Sequence, residues 1–300
     1  MRNNFSKYLA KKAEKDKNIF IVVADISPAG KMEDFQKKFK KRFINVGVSE
    51  QAMIGVCAGL AASGKKPFAY TIATFSLYRP FEMVRDDLCY QNLPVTVVGM
   101  GAGTVYSTLG GTHLTQEDIS IARSIPNMQV LVPCDPLELE HCIDYCVKNK
   151  KGPIYLRIGK AGEKNYTESI KEKFQFGKLR NISSGKDICI VCAGPIVKIA
   201  FEIKKKYKNI SIYSAHTLKP FDKKQIIKLE RKYKKIITLE DHSEIGGLAS
   251  IFKENIQGRK KLLTFSLKDQ FMHNYGDQNN LLKLHGISIK NIEEAINERN

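Results

Sequence analysis

The sequence predicts an α/β protein built of two doubly wound domains. Short apolar runs alternate with amphipathic segments along its 300 residues, and one polar stretch divides this alternation into two series. Strands that alternate with helices imply crossover connections, and crossovers give parallel sheets that are covered by helices. At about 150 residues per domain, the length also favours two domains.

The first series contains the apolar runs that we predict to be strands of the first sheet: NIFIVVAD, KPFAYTIAT, LPVTVVGMG, NMQVLVPC and GPIYLRIG. Amphipathic segments between these runs predict helices. One helix begins at Glu50, one lies between Pro80 and Tyr90, one follows the third run, and one ends at Asn149. We expect this first domain to comprise residues 1–160.

The second series follows a polar stretch, residues 161–186, which we interpret as a linker. Its predicted strands are DICIVCAG, NISIYSAH, KKIITLED and KLLTFSL. Helices are predicted to begin near Pro195, Asp222 and Gly246. We expect the second domain to comprise residues 187–300.

Composition disfavours several classes of protein. No apolar run approaches the roughly 18 residues that span a bilayer, and the amino-terminal segment lacks the apolar centre of a signal peptide. The net charge of +18 comes from scattered lysine runs without interleaved aromatic residues, a pattern typical of a solvated surface. The seven cysteines lie mostly in apolar segments, which predicts buried thiols. We therefore expect a cytoplasmic protein that binds neither membranes nor nucleic acids and holds no metal through its cysteines.

Glu50 is the one carboxylate between Ile44 and Tyr70 and begins a predicted helix of small and apolar residues. A carboxylate at a helix N-terminus is stabilised by the helix dipole, by about 0.3–1 kcal/mol, so this position alone is compatible with a structural role. The residues that follow are small enough for very close packing, for example against a second copy of the chain. An acid buried in such a place needs a partner.

Four segments, in order, resemble successive blocks of the transketolase family: VGVSEQAMIGVCAGLAASGKKPFAYTIATF, GGTHLTQEDISIARSIPNMQVLVPCDP, GPIYLRIGK and LEDHSEIGG. The similarity is greatest to the separately encoded carboxy-terminal subunit of split transketolases. It implies a pyrimidine-binding domain followed by the family's carboxy-terminal domain. It also implies a transferase of carbohydrate metabolism that uses thiamine diphosphate to move a two-carbon ketol unit from a ketose to an aldose.

The resemblance also implies cofactor contacts. Glu50 matches the acid that hydrogen-bonds ring nitrogen N1′ of the aminopyrimidine, and Phe75 matches the aromatic residue that stacks on that ring. Ile72 stands where many relatives have a further aromatic residue and could line the same pocket. Asp25 aligns with a residue near the cofactor. By themselves, Phe75 would be read as a core residue and Asp25 as a turn residue.

Two further matches concern the substrate. His113 in the GGTH segment matches the histidine that reaches the oxygen of the reacting carbon, where a neutral imidazole can donate a hydrogen bond or relay a proton. Arg157 matches a phosphate-binding arginine of relatives that use sugar phosphates. Their structural alternatives are a solvent-facing loop histidine and a salt bridge at a strand end.

Two departures from the family pattern concern the acceptor sugar. Leu109 stands where ordinary transketolases and deoxyxylulose-phosphate synthases carry an aspartate that contacts a substrate hydroxyl. Gly101 stands where transketolases carry a second substrate-binding histidine. Neither residue can supply the missing hydrogen bond, and pockets discriminate strongly through such contacts. We therefore expect an unusual or activated sugar as acceptor.

The resemblance also implies a partner. Thiamine enzymes hold the diphosphate through Mg2+ with a Gly-Asp-Gly motif followed by Asn, and this sequence contains no Gly-Asp-Gly. The chain begins about twenty residues before its first predicted strand, so we expect no diphosphate domain ahead of the pyrimidine domain. We expect an amino-terminal transketolase subunit to carry that motif, in an α2β2 heterotetramer with the cofactor between the two chains.

Three alternatives stay open at this stage. The β subunit of a 2-oxo acid dehydrogenase shares the domain order and the acid, and a deoxyxylulose-phosphate-synthase-like enzyme shares several blocks. The histidine of GGTH and the ARSIPNM segment favour a transketolase over the dehydrogenase. A non-catalytic scaffold or regulatory subunit would not need Glu50, Phe75 and His113 together.

Overall fold

The computed structural model describes residues 1–26, 30–258 and 262–298. Its first sheet has seven strands in the order β10-β5-β6-β4-β3-β1-β2. All neighbours in it are parallel except β10 and β5. The strands are β1 (Ile19–Val23), β2 (Phe43–Asn45), β3 (Lys66–Ile72), β4 (Thr96–Met100), β5 (Gln129–Leu131), β6 (Ile154–Ile158) and β10 (Thr217–Lys219).

Helices cover both faces of this sheet, as the uninterrupted apolar character of its strands requires. Successive residues of β3 point to opposite faces, so that Phe68 and Tyr70 join one buried cluster while Ala69 joins another. The helices are α1 (Arg2–Lys15), α2 (Glu33–Lys38), α3 (Glu50–Ala62), α4 (Ala73–Leu77), α5 (Phe81–Met83, continued by a π-helical segment Val84–Tyr90), α6 (Asp118–Ser124) and α7 (Pro136–Lys148).

The second sheet has five strands in the order β12-β11-β8-β9-β7 and is parallel except where β7 pairs with β9. Its strands are β7 (Arg180–Ser183), β8 (Ile188–Ala193), β9 (Ile210–Ser214), β11 (Lys235–Ser243) and β12 (Leu262–Leu267). Its helices are α8 (Val197–Lys206), α9 (Lys223–Lys232), α10 (Leu248–Asn255), α11 (Gln278–Leu284) and α12 (Ile289–Asn297).

The predicted fold class is confirmed, and every apolar run that was predicted to be a strand contains one. Three short strands were missed. Strand β2 adds an edge to the first sheet, and β7 lies in the stretch predicted as a linker, so that this interpretation is wrong for residues 180–183. Strand β10 leaves the second series to pair with β5 of the first sheet. Each has three or four residues and lies outside the apolar runs, so tertiary pairing specifies it. The division into residues 1–160 and 187–300 remains our proposal.

A polar network joins the two sheets. Asp241 in β11 accepts hydrogen bonds from the backbone nitrogen and the hydroxyl of Thr104, and Gln278 donates to the same carboxylate. The seven cysteines are buried as free thiols, as predicted. Among the described residues, no helix has both the length and the apolar character needed to cross a bilayer.

Candidate functional site

Glu50 begins helix α3 and is almost completely buried, with 2% of its surface exposed. Its partner within the chain is Arg79, whose Nη1 donates to both carboxylate oxygens at 3.0 Å. The Arg79 side chain is 43% exposed, so this ion pair has one member inside the protein and one at its surface. A buried carboxylate is thus paired, as burial of a charge requires.

Phe75 lies on α4, the short helix that follows β3 directly. Its ring is edge-to-face with that of His113, with centroids 5.3 Å apart and an angle of 74° between the planes. The guanidinium carbon of Arg79 lies 4.0 Å from the centroid of the Phe75 ring. Direct contacts therefore connect Glu50, Arg79, Phe75 and His113, and we call these residues the Glu50 cluster.

The loop that carries His113 is held in place from α4. The hydroxyl of Thr74 donates to the backbone carbonyl of His113 at 3.1 Å and lies 2.8 Å from the hydroxyl of Thr115. The hydroxyl of Thr112 lies 2.9 Å from Nδ1 of His113. Burial, and secondly the charge of Arg79, lower the pKa of His113. The imidazole is therefore neutral near pH 7 and can donate or accept a hydrogen bond.

Ile72 and Asp25 are placed differently. Ile72 is the last residue of β3, directly precedes the helix that carries Phe75, and is half-buried against the core. Asp25 follows β1 with a left-handed backbone, φ 50°, and is exposed. Its backbone nitrogen donates to Oδ1 of Asn45 at 3.0 Å, and its carboxylate accepts from Nδ2 of Asn45 at 3.2 Å. These contacts fit the turn role that the sequence left open, and the predicted cofactor role of Asp25 stays a prediction.

Arg157 has the contacts of its structural alternative. It is 3% exposed, and its Nε donates to Oδ2 of Asp118 at 2.7 Å while Nη2 donates to the carbonyl of Asp241 at 2.8 Å. The hydroxyl of Tyr155 donates to the same oxygen of Asp118. The neighbouring carboxylates keep the pKa of Arg157 above its usual value despite burial. Protein groups thus engage two nitrogens of this guanidinium, and the sequence-based phosphate contact of Arg157 stays a prediction.

The two departures from the family pattern differ in their surroundings. Leu109 is 47% exposed. Gly101 has a left-handed backbone, φ +69°, and a Cβ at this position would overlap the ring of Tyr106. The Tyr106 ring lies 6.1 Å from that of His113 and is covered by the ammonium group of Lys160, 4.5 Å from its centroid. An aromatic ring under a lysine thus fills the space next to Gly101.

Sequence reasoning missed Arg79 and Tyr106. Arg79 stands four residues after Phe75, a spacing that brings two side chains to one face of a helix, so this contact could have been anticipated. No sequence signal identified Tyr106, because it reaches the neighbourhood of His113 through the path of a loop. Both missed residues thus lie next to predicted ones, Arg79 against Phe75 and Tyr106 near His113.

The Glu50 cluster fits a flat heteroaromatic ring. A buried carboxylate can share a proton with a ring nitrogen, and the face of Phe75 offers a stacking surface. These features are the contacts that an aminopyrimidine requires. Among the described residues, no group of three or more His, Cys, Asp or Glu side chains is placed to hold a metal ion.

Both halves of the chain are similar to known proteins. The model of the transketolase pyrimidine-binding domain matches residues 1–162, and that of the transketolase C-terminal domain matches residues 177–292. The chain is 34% identical over 306 residues to a putative transketolase C-terminal section of Methanocaldococcus jannaschii, covering 99% of this chain and 95% of that protein. It is 32% identical over 259 residues to one subunit of the apulose-4-phosphate transketolase of Phocaeicola vulgatus, covering 85% of this chain and 83% of that subunit.

A solved structure described as a split gene transketolase, inactive beta4 tetramer, superimposes with a TM-score of 0.88 at 31% identity, covering 98% of this chain and 96% of that one. The similarity extends through both sheets. In all three relatives the match also spans most of the relative's own length. The chain belongs to the transketolase family, with the pyrimidine-binding domain first and the transketolase C-terminal domain second.

Proposed function

We propose that this chain is the pyrimidine-binding subunit of a thiamine-diphosphate-dependent split transketolase, which transfers a two-carbon ketol unit from a ketose to an aldose. The observation that carries the proposal is the burial of Glu50 next to Phe75 and His113, beyond the carboxyl ends of the strands of a parallel sheet. In such sheets this edge is where ligands bind. The agreement of the domain models over both halves of the chain supports it.

The cofactor, when bound, supplies the carbon nucleophile that takes up the two-carbon unit. In our proposal, Glu50 holds a proton at ring nitrogen N1′ from inside the protein, where water does not compete. Phe75 orients the aminopyrimidine by stacking on it, and Ile72 lines the pocket below. His113, neutral near pH 7, donates a hydrogen bond to the substrate oxygen on the reacting carbon or holds its proton.

A second polypeptide is part of the proposal. The sequence has no Gly-Asp-Gly motif, so we assign the diphosphate and its Mg2+ to an amino-terminal subunit that carries Gly-Asp-Gly followed by Asn. We propose an α2β2 assembly in the cytoplasm. Support for a second subunit comes from the Phocaeicola vulgatus relative, which is itself one subunit of a transketolase, and from the solved split gene transketolase, whose beta4 tetramer is described as inactive.

For the acceptor, we propose an unusual phosphorylated sugar. Leu109 and Gly101 remove two hydrogen-bonding side chains that the family pattern places near the substrate, and the Tyr106 ring fills the space at Gly101. A relative that aligns with 85% of this chain is named for apulose 4-phosphate rather than for a common pentose phosphate. The altered pocket and that relative together support this choice of acceptor.

The test is Glu50→Gln in the chain reconstituted with its partner subunit. The amide keeps the shape of the side chain but cannot share the acid's proton, so we expect the rate of ketol transfer to fall at least about a hundredfold. Glu82→Gln, at an exposed position of α5, is the matched control and should leave the rate unchanged. Near-normal turnover by the Glu50→Gln variant would refute the role of Glu50.

Product analysis separates the rival activities. Formation of a new ketose with consumption of an aldose, without release of carbon dioxide, is expected for ketol transfer. Carbon dioxide released from pyruvate would indicate a deoxyxylulose-phosphate-synthase-like or 2-oxo acid dehydrogenase reaction instead. A panel of aldose phosphates that includes ribose 5-phosphate tests the choice of acceptor. A clear preference for ribose 5-phosphate would contradict the proposal of an unusual acceptor sugar.

A further inference from the structure

We propose that Arg79 competes with the aminopyrimidine ring of the cofactor for the same binding site on this chain. The guanidinium makes the contacts to Glu50 and to a face of Phe75 that the proposed function assigns to the aminopyrimidine ring. Cofactor binding must therefore displace Arg79. This inference rests on the roles proposed for Glu50 and Phe75, and it makes Arg79 a residue that lowers cofactor affinity.

The first contact is with the carboxylate. Nη1 of Arg79 is 3.0 Å from Oε1 and 3.0 Å from Oε2 of Glu50, so it stands in front of both oxygens at once. The rest of the acid is enclosed, since only 2% of its surface is exposed. A ring nitrogen that approaches Glu50 has to take the place of Nη1.

The second contact is with the aromatic ring. The guanidinium carbon lies 4.0 Å from the centroid of Phe75, which is the distance of a stacked group, while His113 meets the ring by its edge. A guanidinium is planar and stacks on aromatic faces as a heterocycle does. One face of Phe75 cannot hold both. The two contacts together give Arg79 the recognition pattern of the aminopyrimidine: a nitrogen that hydrogen-bonds the acid and a flat group on the ring.

Arg79 is able to leave. Its side chain is 43% exposed, and the residue lies between the end of α4 and Pro80, outside regular helix. The guanidinium can therefore turn into solvent and stay hydrated, whereas Glu50 cannot follow it. Without the ring, Arg79 supplies the partner that a buried carboxylate needs. With the ring bound, N1′ supplies it.

The decisive measurement is the Kd of thiamine diphosphate, with Mg2+, for the chain reconstituted with its partner subunit, determined by titration calorimetry. Removal of a competing contact raises the fraction of binding-competent sites, so Arg79→Ala should lower Kd by about threefold to tenfold. Arg85→Ala is the matched control, since Arg85 is exposed and pairs with Asp86, and its Kd should not change. A Kd that is unchanged or higher in Arg79→Ala overturns the inference.

A double-mutant cycle with Glu50 tests whether Arg79 lowers cofactor affinity through its contact with that acid. In a Glu50→Gln background the charge pair is absent, so adding Arg79→Ala should change Kd by less than about twofold. Equal tightening in both backgrounds would show that the effect does not come through Glu50, and it would overturn the inference.

If Arg79→Ala does not fold, Arg79→Lys serves instead. Lysine keeps the charge but loses the flat stacking group, so the Kd of thiamine diphosphate should also fall, by about twofold. Weaker binding by this variant would overturn the inference.

The two proposals can fail separately. Unchanged ketol transfer in Glu50→Gln would remove the proposed function. A large loss in Glu50→Gln together with unchanged or weaker cofactor binding in Arg79→Ala would leave that function intact and remove only the inference about Arg79.

Discussion

Two buried acids of the first domain, Glu50 and Asp118, have arginine partners of opposite character. The partner of Glu50 is Arg79, whose side chain is 43% exposed, whereas the partner of Asp118 is Arg157, which is 3% exposed. The Arg157 pair is tied further by Tyr155 and by the carbonyl of Asp241. A pair in which both members are buried and held by further protein groups, which we call a closed pair, supports the fold. A pair with one solvent-facing member can exchange that member for a ligand.

The largest expected effect concerns the closed pair. Arg157→Met leaves Asp118 buried without its ion partner, so we expect the free energy of unfolding of the full chain to fall by about 3–5 kcal/mol in a urea titration. Arg85→Met, which breaks an exposed pair, should change it by less than about 1 kcal/mol. Similar values for both variants would erase the distinction between closed and open pairs.

The proposed choice of acceptor sugar is tested at Leu109. Leu109→Asp restores a carboxylate at the position where ordinary relatives contact a substrate hydroxyl. We expect the ratio of kcat/KM for a common pentose phosphate to that for the native acceptor to rise about tenfold. Leu284→Asp, an exposed leucine on α11, is the control. An unchanged ratio would separate Leu109 from acceptor choice.

A smaller effect is expected at the stacking face. Phe75→Leu keeps an apolar residue on α4 but removes the flat ring, so the Kd of thiamine diphosphate for the reconstituted complex should rise by about threefold to tenfold. Phe81→Leu alters a partly exposed phenylalanine of the next helix and should leave Kd unchanged. Equal Kd values for Phe75→Leu and the wild type would show that this ring does not contact the cofactor.

The smallest effect is the pH dependence contributed by His113. Burial and the charge of Arg79 lower its pKa, so between its folded value and about 6.5 the unfolded chain binds a proton that the folded chain does not. Stability from this group is therefore lost as pH falls. Between pH 7.5 and 5.5, the wild-type Tm should therefore fall slightly more than that of His113→Asn. A larger fall in the variant would mean that His113 adds stability as the pH falls, which would contradict its lowered pKa.

Much of the fold followed from the sequence. Apolar runs predicted the principal strands of both sheets because most of these strands are buried on both faces, which requires continuous apolar residues. The short strands β2, β7 and β10 could not be predicted this way. Strand β10 forms because the chain returns to the edge of the first sheet beside β5, a meeting that only the packing of the two domains brings about.

For the site, the sequence by itself determined which acid stands alone at the start of a helix of small residues, and motif order linked Glu50, Phe75 and His113 to one chemistry. The tertiary structure decided what surrounds them. It buried Arg157 against Asp118 and Asp241, brought Arg79 over Phe75 and in front of Glu50, and placed Tyr106 beside Gly101. The reason is physical: helix starts and strand ends are encoded by neighbours along the chain. The partner of a charge is chosen by burial and geometry, which arise only when distant segments pack together.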